Sequence, residues 1–252
     1  MKRPQSSRII FVTATGTAVG KTLLTGLLLA QLRQSGIHAL AMKPFCSGGT
    51  ADVELLHALQ ERELTRDEIN PFYFPEPLAP LISARKHHRL IKLQDVLKRI
   101  ASLRQKLDLK SRIHPDGPRS TVHALPCLLI EGSGGLLVPL GEGYSVLDLI
   151  VRLRCEVIVV SSNRLGTINH TLLTIRALQA AGIEKLKVVL TNSFPPRRSA
   201  PDTPHNHNIL SELLAPVPLF ALPFLGPKPS RPHAVTKIAK RFKRQLVQII
   251  KN

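Results

Sequence analysis

Ile9-Ile10-Phe11-Val12-Thr13-Ala14-Thr15-Gly16-Thr17-Ala18-Val19-Gly20-Lys21-Thr22 decides how the rest of the chain is read. Its first four residues form a short apolar run of strand type, and Leu23 to Leu32 beyond it reads as a helix, so the order is strand, loop, helix. Such a loop lays successive backbone N–H groups and a helix N-terminus around an anion. Lys21 would reach the terminal phosphates, Thr22 would offer its hydroxyl to Mg2+, and Thr17, Ala18, Val19 and Gly20 would line the phosphates with backbone. The expected ligand is a nucleoside triphosphate. The common pattern places a Gly five residues before the Gly-Lys-Thr, where Thr15 stands here with Gly16 one step later. A ligand-free glycine turn is the plain alternative, and the strand-to-helix context argues against it.

Outward from the loop, 252 residues at 43% hydrophobic can bury one substantial core, so a single domain over residues 1–252 is expected. The longest apolar runs, Leu23 to Ala30 and Leu125 to Ile130, are too short to span a bilayer, and the chain reads as soluble and not exported. Cys46, Cys127 and Cys155 are an odd number without metal spacing, which suits reduced thiols in a cytoplasm. The formal charge is +18. Basic residues crowd Arg85 to Arg119 and a tail with Lys228, Arg231, Lys237, Lys240, Arg241, Lys243, Arg244 and Lys251. A solvated basic face is the favoured reading over a dedicated polyanion site. The absence of Trp and the shortage of other aromatics disfavour reading of single strands, while loose phosphate binding stays open.

Ile37 to Met42 reads as a second strand that delivers Lys43, and Ser47 beyond it, to the ligand edge of a parallel sheet, with a merely solvent-facing lysine as the equal alternative on the residues alone. Asp52 starts a helical segment, where it could cap the helix or hold Mg2+. Asn70 to Ser83 is proline-rich and cannot be an ordinary helix; it suits a rigid wall for a small substrate, with a plain connecting loop as the alternative. Leu93 to Leu107 has the apolar spacing of an amphipathic helix. A buried strand from Leu125 to Ile130 ends in Glu131-Gly132-Ser133-Gly134-Gly135, where a carboxylate at a strand tip could serve a metal and the glycines admit phosphate closely. Ser145 caps a helix from Val146 to Arg152, and Glu156 to Val160 is another strand. A helix through Ala180 and a strand from Leu186 to Leu190 ending at Thr191-Asn192 follow. Arg197 to His205 reads as a link, Ile209 to Leu214 as a short helix, Pro218 to Leu222 as a last strand, and Val235 to Ile250 as one basic helix. The alternation makes an α/β protein with a doubly wound, mostly parallel sheet flanked by helices.

These residues together resemble dethiobiotin synthetase, a family of the P-loop NTPase type. The resemblance is carried by Phe11-Val12-Thr13 with Val19-Gly20-Lys21-Thr22, Lys43-Pro44 with Ser47-Gly48, Asn70-Pro71 with Phe74, Glu76 and Pro77, Glu131 to Gly135, Leu165 to His170, and Asn192. It implies an ATP-dependent enzyme in which 7,8-diaminopelargonate takes up CO2 as a carbamate, accepts the γ-phosphoryl group as a mixed anhydride, and closes to dethiobiotin. By resemblance, Lys21 and Lys43 are the catalytic cations, Thr22, Asp52 and Glu131 organise Mg2+, and Asn192 reads adenine. Ser47 would hold the reacting end of the substrate, and Gly166, Thr167, Ile168 and Asn169 would receive its carboxylate from the partner subunit of a homodimer. The chain departs from the family pattern at Ala14, where a Gly is common, at Gly16, where an acidic residue is usual, and at Leu81, where a His is frequent. A competing reading is a partition-type ATPase switch that touches DNA or membrane through its basic face, although Thr13 to Thr17 lack the additional lysine of such proteins.

Overall fold

The structure, a computed structural model, describes residues 7–113, 125–192, 203–226 and 231–251. β1 (Arg8–Ala14) leads through the loop into α1 (Lys21–Gln34), followed by β2 (Ala39–Met42), β3 (Phe45–Ser47), α2 (Ala51–Leu59), α3 (Arg66–Ile69) and β4 (Phe72–Phe74). Next come α4 (Pro80–Lys86), α5 (Leu93–Ile113) and β5 (Cys127–Glu131). A short antiparallel pair, β6 (Pro139–Gly141) and β7 (Tyr144–Ser145), precedes α6 (Val146–Leu153). The chain continues through β8 (Glu156–Ser162), α7 (Thr167–Ala180), β9 (Leu186–Thr191), α8 (Thr203–Leu214) and β10 (Leu219–Leu222), and ends in α9 (Pro232–Arg241) and α10 (Lys243–Ile250).

The main sheet has six strands in the order β10-β9-β8-β1-β5-β2, all paired in parallel. Strands β1, β5 and β8 read as near-continuous apolar runs because both of their faces are covered, and Phe11, Val12, Leu129, Ile130 and Val159 are fully or almost fully buried. α1 packs on β1, β2 and β5 with α9 and α10 beside it, α5 packs on β5, and α7 on β8. Parallel pairing brings all carboxyl ends to one edge, so the loops after β1, β2, β5, β8 and β9 share one neighbourhood. Among the described residues, no helix is long and apolar enough to cross a membrane.

Three expectations change. The proline-rich stretch is not irregular throughout: β4 pairs in parallel with β3, and α4 starts on Pro80. A proline at the first helical position gives up an N–H that has no partner in the helix anyway, so Pro80 opens the helix it was expected to prevent. The basic terminal helix is two helices, because Phe242, with φ −101° and ψ 20°, leaves the helical region and interrupts the ladder. The helix expected from Ile209 begins at Thr203; residues 197–202 of the supposed link lie outside the described residues.

Candidate active site

The loop after β1 is tied to its neighbours by Thr15 N–H donating to Val160 O at 3.0 Å and by the Thr191 hydroxyl donating to Val19 O at 2.8 Å. Gly20 closes it with φ 101°, a left-handed conformation that suits glycine, and no side chain caps α1. The first-turn N–H groups of α1 therefore face the loop as anion donors. Lys21 lies across the same space, its Nζ donating to Gly16 O at 2.8 Å and to Gly134 O at 2.9 Å. Burial pushes its ammonium down to about 8, more than the nearby Glu131 charge restores.

Beside the loop stands a compact charged cluster. Register sets it: Met42 of β2 lies opposite Ile130 of β5, which brings Lys43 alongside Glu131. Glu131 is completely buried, and its Oε1 accepts from Thr22 Oγ1 at 2.7 Å and from Lys43 Nζ at 2.8 Å. Lys43 Nζ also donates to Asp52 Oδ2 at 2.5 Å, from the first turn of α2. Burial alone would lower the Lys43 ammonium, but the two carboxylates outweigh it and hold it well above the ordinary lysine value. Lys43 is thus a fixed cation. Its backbone is pinned by Asn70, whose Nδ2 donates to Lys43 O at 2.8 Å.

The same cluster fits a divalent cation. Glu131 Oε2 is buried and has no hydrogen-bond partner, next to the Thr22 hydroxyl and the half-exposed Asp52 carboxylate. Buried carboxylate oxygen without a donor is a group that a hard cation satisfies. No group of three or more His, Cys, Asp or Glu able to hold a metal is found among the described residues, so water or phosphate oxygens would complete the shell.

The remaining expected residues surround this centre. Ser47 ends β3 opposite Phe74, and Gly48, at φ 82°, lies so close to Pro77 that an added Cβ would stand 2.6 Å from the proline ring. Gly166, at φ 86°, precedes α7; Thr167 is buried, Ile168 partly buried and Asn169 exposed. Asn192 follows β9, its N–H donating to Leu222 O at 3.1 Å. Lys21, Thr22, Lys43, Asp52 and Glu131 form one contiguous group around the loop, whereas Ser47 at the end of β3, Gly166 to Asn169 at the start of α7 and Asn192 after β9 are outside that group.

A family profile described as an AAA domain matches residues 8–226. ATP-dependent dethiobiotin synthetase of Bacillus subtilis is 33% identical over 188 residues, covering 73% of this chain and 74% of that protein. The enzyme of the same name from an Anaeromyxobacter strain is 34% identical over 219 residues, covering 85% and 89%. The chain belongs to the dethiobiotin synthetase family. A likeness to the MinC:MinD cell division protein complex of Aquifex aeolicus, at a TM-score of 0.55 over 96% of this chain and 93% of that one, has 11% identity and speaks to the P-loop NTPase fold alone.

For this dethiobiotin synthetase family member the sequence reading did not find two features. One is the direct Lys43 contact to both carboxylates. The other is a hydroxyl chain between the phosphate loop and α7: Ser161 Oγ lies 2.8 Å from Thr167 Oγ1, 2.8 Å from Thr171 Oγ1 and 3.5 Å from Thr15 Oγ1. The available signal was Ser161-Ser162 at the end of an otherwise apolar strand, facing Thr167 and Thr171 one helical turn apart.

Proposed function

We propose that this ATP-dependent family member carboxylates 7,8-diaminopelargonate with CO2 and closes it to dethiobiotin through a carbamate and a carbamic–phosphoric anhydride. The observation that carries the reading is Lys43 fixed between Glu131 and Asp52, beside a phosphate loop. An amine adds to CO2 and loses a proton, giving a carbamate; a carbamate oxygen then attacks the γ-phosphorus and ADP leaves. The second amine attacks the carbamoyl carbon and expels phosphate, closing the ring. Every step builds or moves negative charge on oxygen, so fixed cations and preorganised N–H donors serve it better than a proton-shuttling base.

In this scheme Lys43 binds the carbamate oxygens and the phosphorylated intermediate, and Ser47 positions the reacting end. Lys21 exchanges its bonds to Gly16 and Gly134 for bonds to phosphate oxygen. Thr22, Asp52 and Glu131 would hold Mg2+, which when bound neutralises phosphate charge. The N–H groups of Thr17 to Gly20 cradle the phosphates and Asn192 reads adenine. Gly166, Thr167, Ile168 and Asn169 receive the substrate carboxylate across a homodimer interface; the 85% exposed Leu165 beside them supports a covering partner. Three free thiols suit a cytoplasmic setting. The partition-type switch reading is not favoured beside relatives named as synthetases.

The role of Lys43 is tested with Lys43→Ala. ATP affinity by calorimetry is expected to stay within a few-fold, while turnover falls by about 100-fold or more, the usual cost of removing one stabilising donor. Equal turnover in the variant, or lost nucleotide binding without lost folding, would refute the role.

A further inference from the structure

The two basic stretches of the sequence differ once folded. Along α4 and α5 most of the cations are matched: Arg85 pairs with Glu142, Lys86 and His87 with Glu76, Arg99 with Asp67, Lys106 with Glu68 and Lys110 with Glu63, while Arg104 bonds Ser7 and Lys98 stays exposed. Along α9 and α10 they are not. Lys237, Lys240, Arg241, Lys243 and Arg244 are exposed, and among the described residues none of them pairs with a carboxylate. No Asp or Glu follows Glu212 in the sequence. The surroundings add no compensation, since α1, on which α9 and α10 pack, has no acidic residue, and Glu54 of α2 is held by Arg66.

We infer that the outer face of α9 and α10 binds the phosphate backbone of a nucleic acid duplex without reading its bases. A membrane surface fits less well: Val235, Ala239, Leu246 and Ile249 are fully buried against the core, which leaves no apolar face to enter acyl chains. An unpaired strand fits less well too, because Phe242 is the one Phe, Tyr or Trp between residues 231 and 251, and the Arg241 guanidinium lies over its ring at 5.4 Å from the centroid. What is left is a set of exposed point charges on two successive helices, which duplex phosphates match. The face lies away from the active site. Gln34, at the far end of α1 from the phosphate loop, donates to Thr236 O, and Lys187 near the start of β9 donates to Ile249 O. Binding therefore leaves the catalytic edge open.

Fluorescence anisotropy with a labelled 20-base-pair DNA duplex, titrated between about 50 and 200 mM salt, tests this. With roughly five phosphates neutralised, log affinity is expected to fall with log salt at a slope near −4.5, unchanged by ATP. Lys237→Glu, Lys240→Glu and Arg244→Glu together should flatten the slope by about 3 and weaken binding by about 100-fold or more at 100 mM salt. Lys92→Glu, Lys98→Glu and Arg176→Glu, an equal charge change on other exposed positions, should cost only a few-fold. Melting temperatures establish that both variants are folded. Equal losses in the two triple variants would overturn the inference in favour of diffuse net charge. Stronger α9-and-α10-dependent capture by anionic vesicles than by the duplex would overturn it in favour of a membrane.

Discussion

Lys21 and Lys43 are neighbouring buried ammonium groups driven in opposite directions. Lys43 has two carboxylates against it and stays charged, whereas Lys21 bonds two backbone carbonyls and drops to about 8. Its lowered value means that the folded, ligand-free protein gives up the proton earlier than a free lysine, and that an arriving polyanion must restore it. ATP affinity is accordingly expected to be flat below pH 7 and to fall by up to about tenfold per pH unit above 8, with proton uptake on binding. Calorimetry in buffers of different ionisation enthalpy measures that uptake, and Lys21→Met should abolish it. A pH-independent affinity to pH 9 would contradict the assignment. Gly16 is the second residue of interest. Its backbone is not left-handed and an added Cβ meets nothing within 4 Å, so a side chain fits there. Gly16→Asp, which restores the acidic residue usual in the resemblance, is expected to lower the Mg2+ concentration for half-maximal turnover by roughly 3- to 10-fold through one added anionic oxygen. An unchanged requirement would place the metal elsewhere.

At the scale of elements, the strands of the main sheet and most of the longer helices were legible, while β3, β4, β6, β7, α3, α4 and the strand neighbours were not. Period and capping residues gave β1, α1, β8 and α7, and Ser145 caps α6 with a reciprocal bond from Asp148 as its sequence suggests. The contact between Lys43 and Glu131 depends on β5 standing between β1 and β2, a crossover that no local pattern encodes. For the same reason the resemblance assigned Lys43 to the substrate and Glu131 to the metal at one site without foreseeing their direct contact. Another long-range knot ties three elements: Glu63 accepts from Arg33 of α1, from His38 before β2, and from Lys110 of α5. Burial alone would raise its carboxyl, but these three donors bring it down to about 2 from 4.5. A carboxyl with a depressed folded-state value stabilises the fold above the unfolded value, and that contribution fades as pH falls from 4.5 toward 2. Glu63→Gln should cost about 1 kcal/mol at neutral pH, discounted because Lys110 is exposed, and should flatten the acid branch of the stability curve. Chemical denaturation at pH 7 and at pH 3 measures both effects; an equal difference at the two pH values would contradict the charge argument.

At the scale of the molecule, the basic surplus and the catalytic edge are separate properties of one sheet. The phosphate loop, the Lys43 cluster and the turn before α7 share the carboxyl edge, with Ser161 linking the loop to α7, while the unmatched charge lies over α9 and α10. The excess charge was readable in the sequence; which half of it was neutralised required the folded positions of Glu63, Glu68, Glu76 and Glu142. Phosphorylation of a carbamate at this edge is tested most directly by single turnover with ATP, 7,8-diaminopelargonate and 18O-labelled CO2, with both products weighed by mass spectrometry. Attack by a carbamate oxygen predicts dethiobiotin together with phosphate carrying one 18O per turnover. Phosphate without label, or ATP hydrolysis that proceeds equally without the diamine, would contradict it.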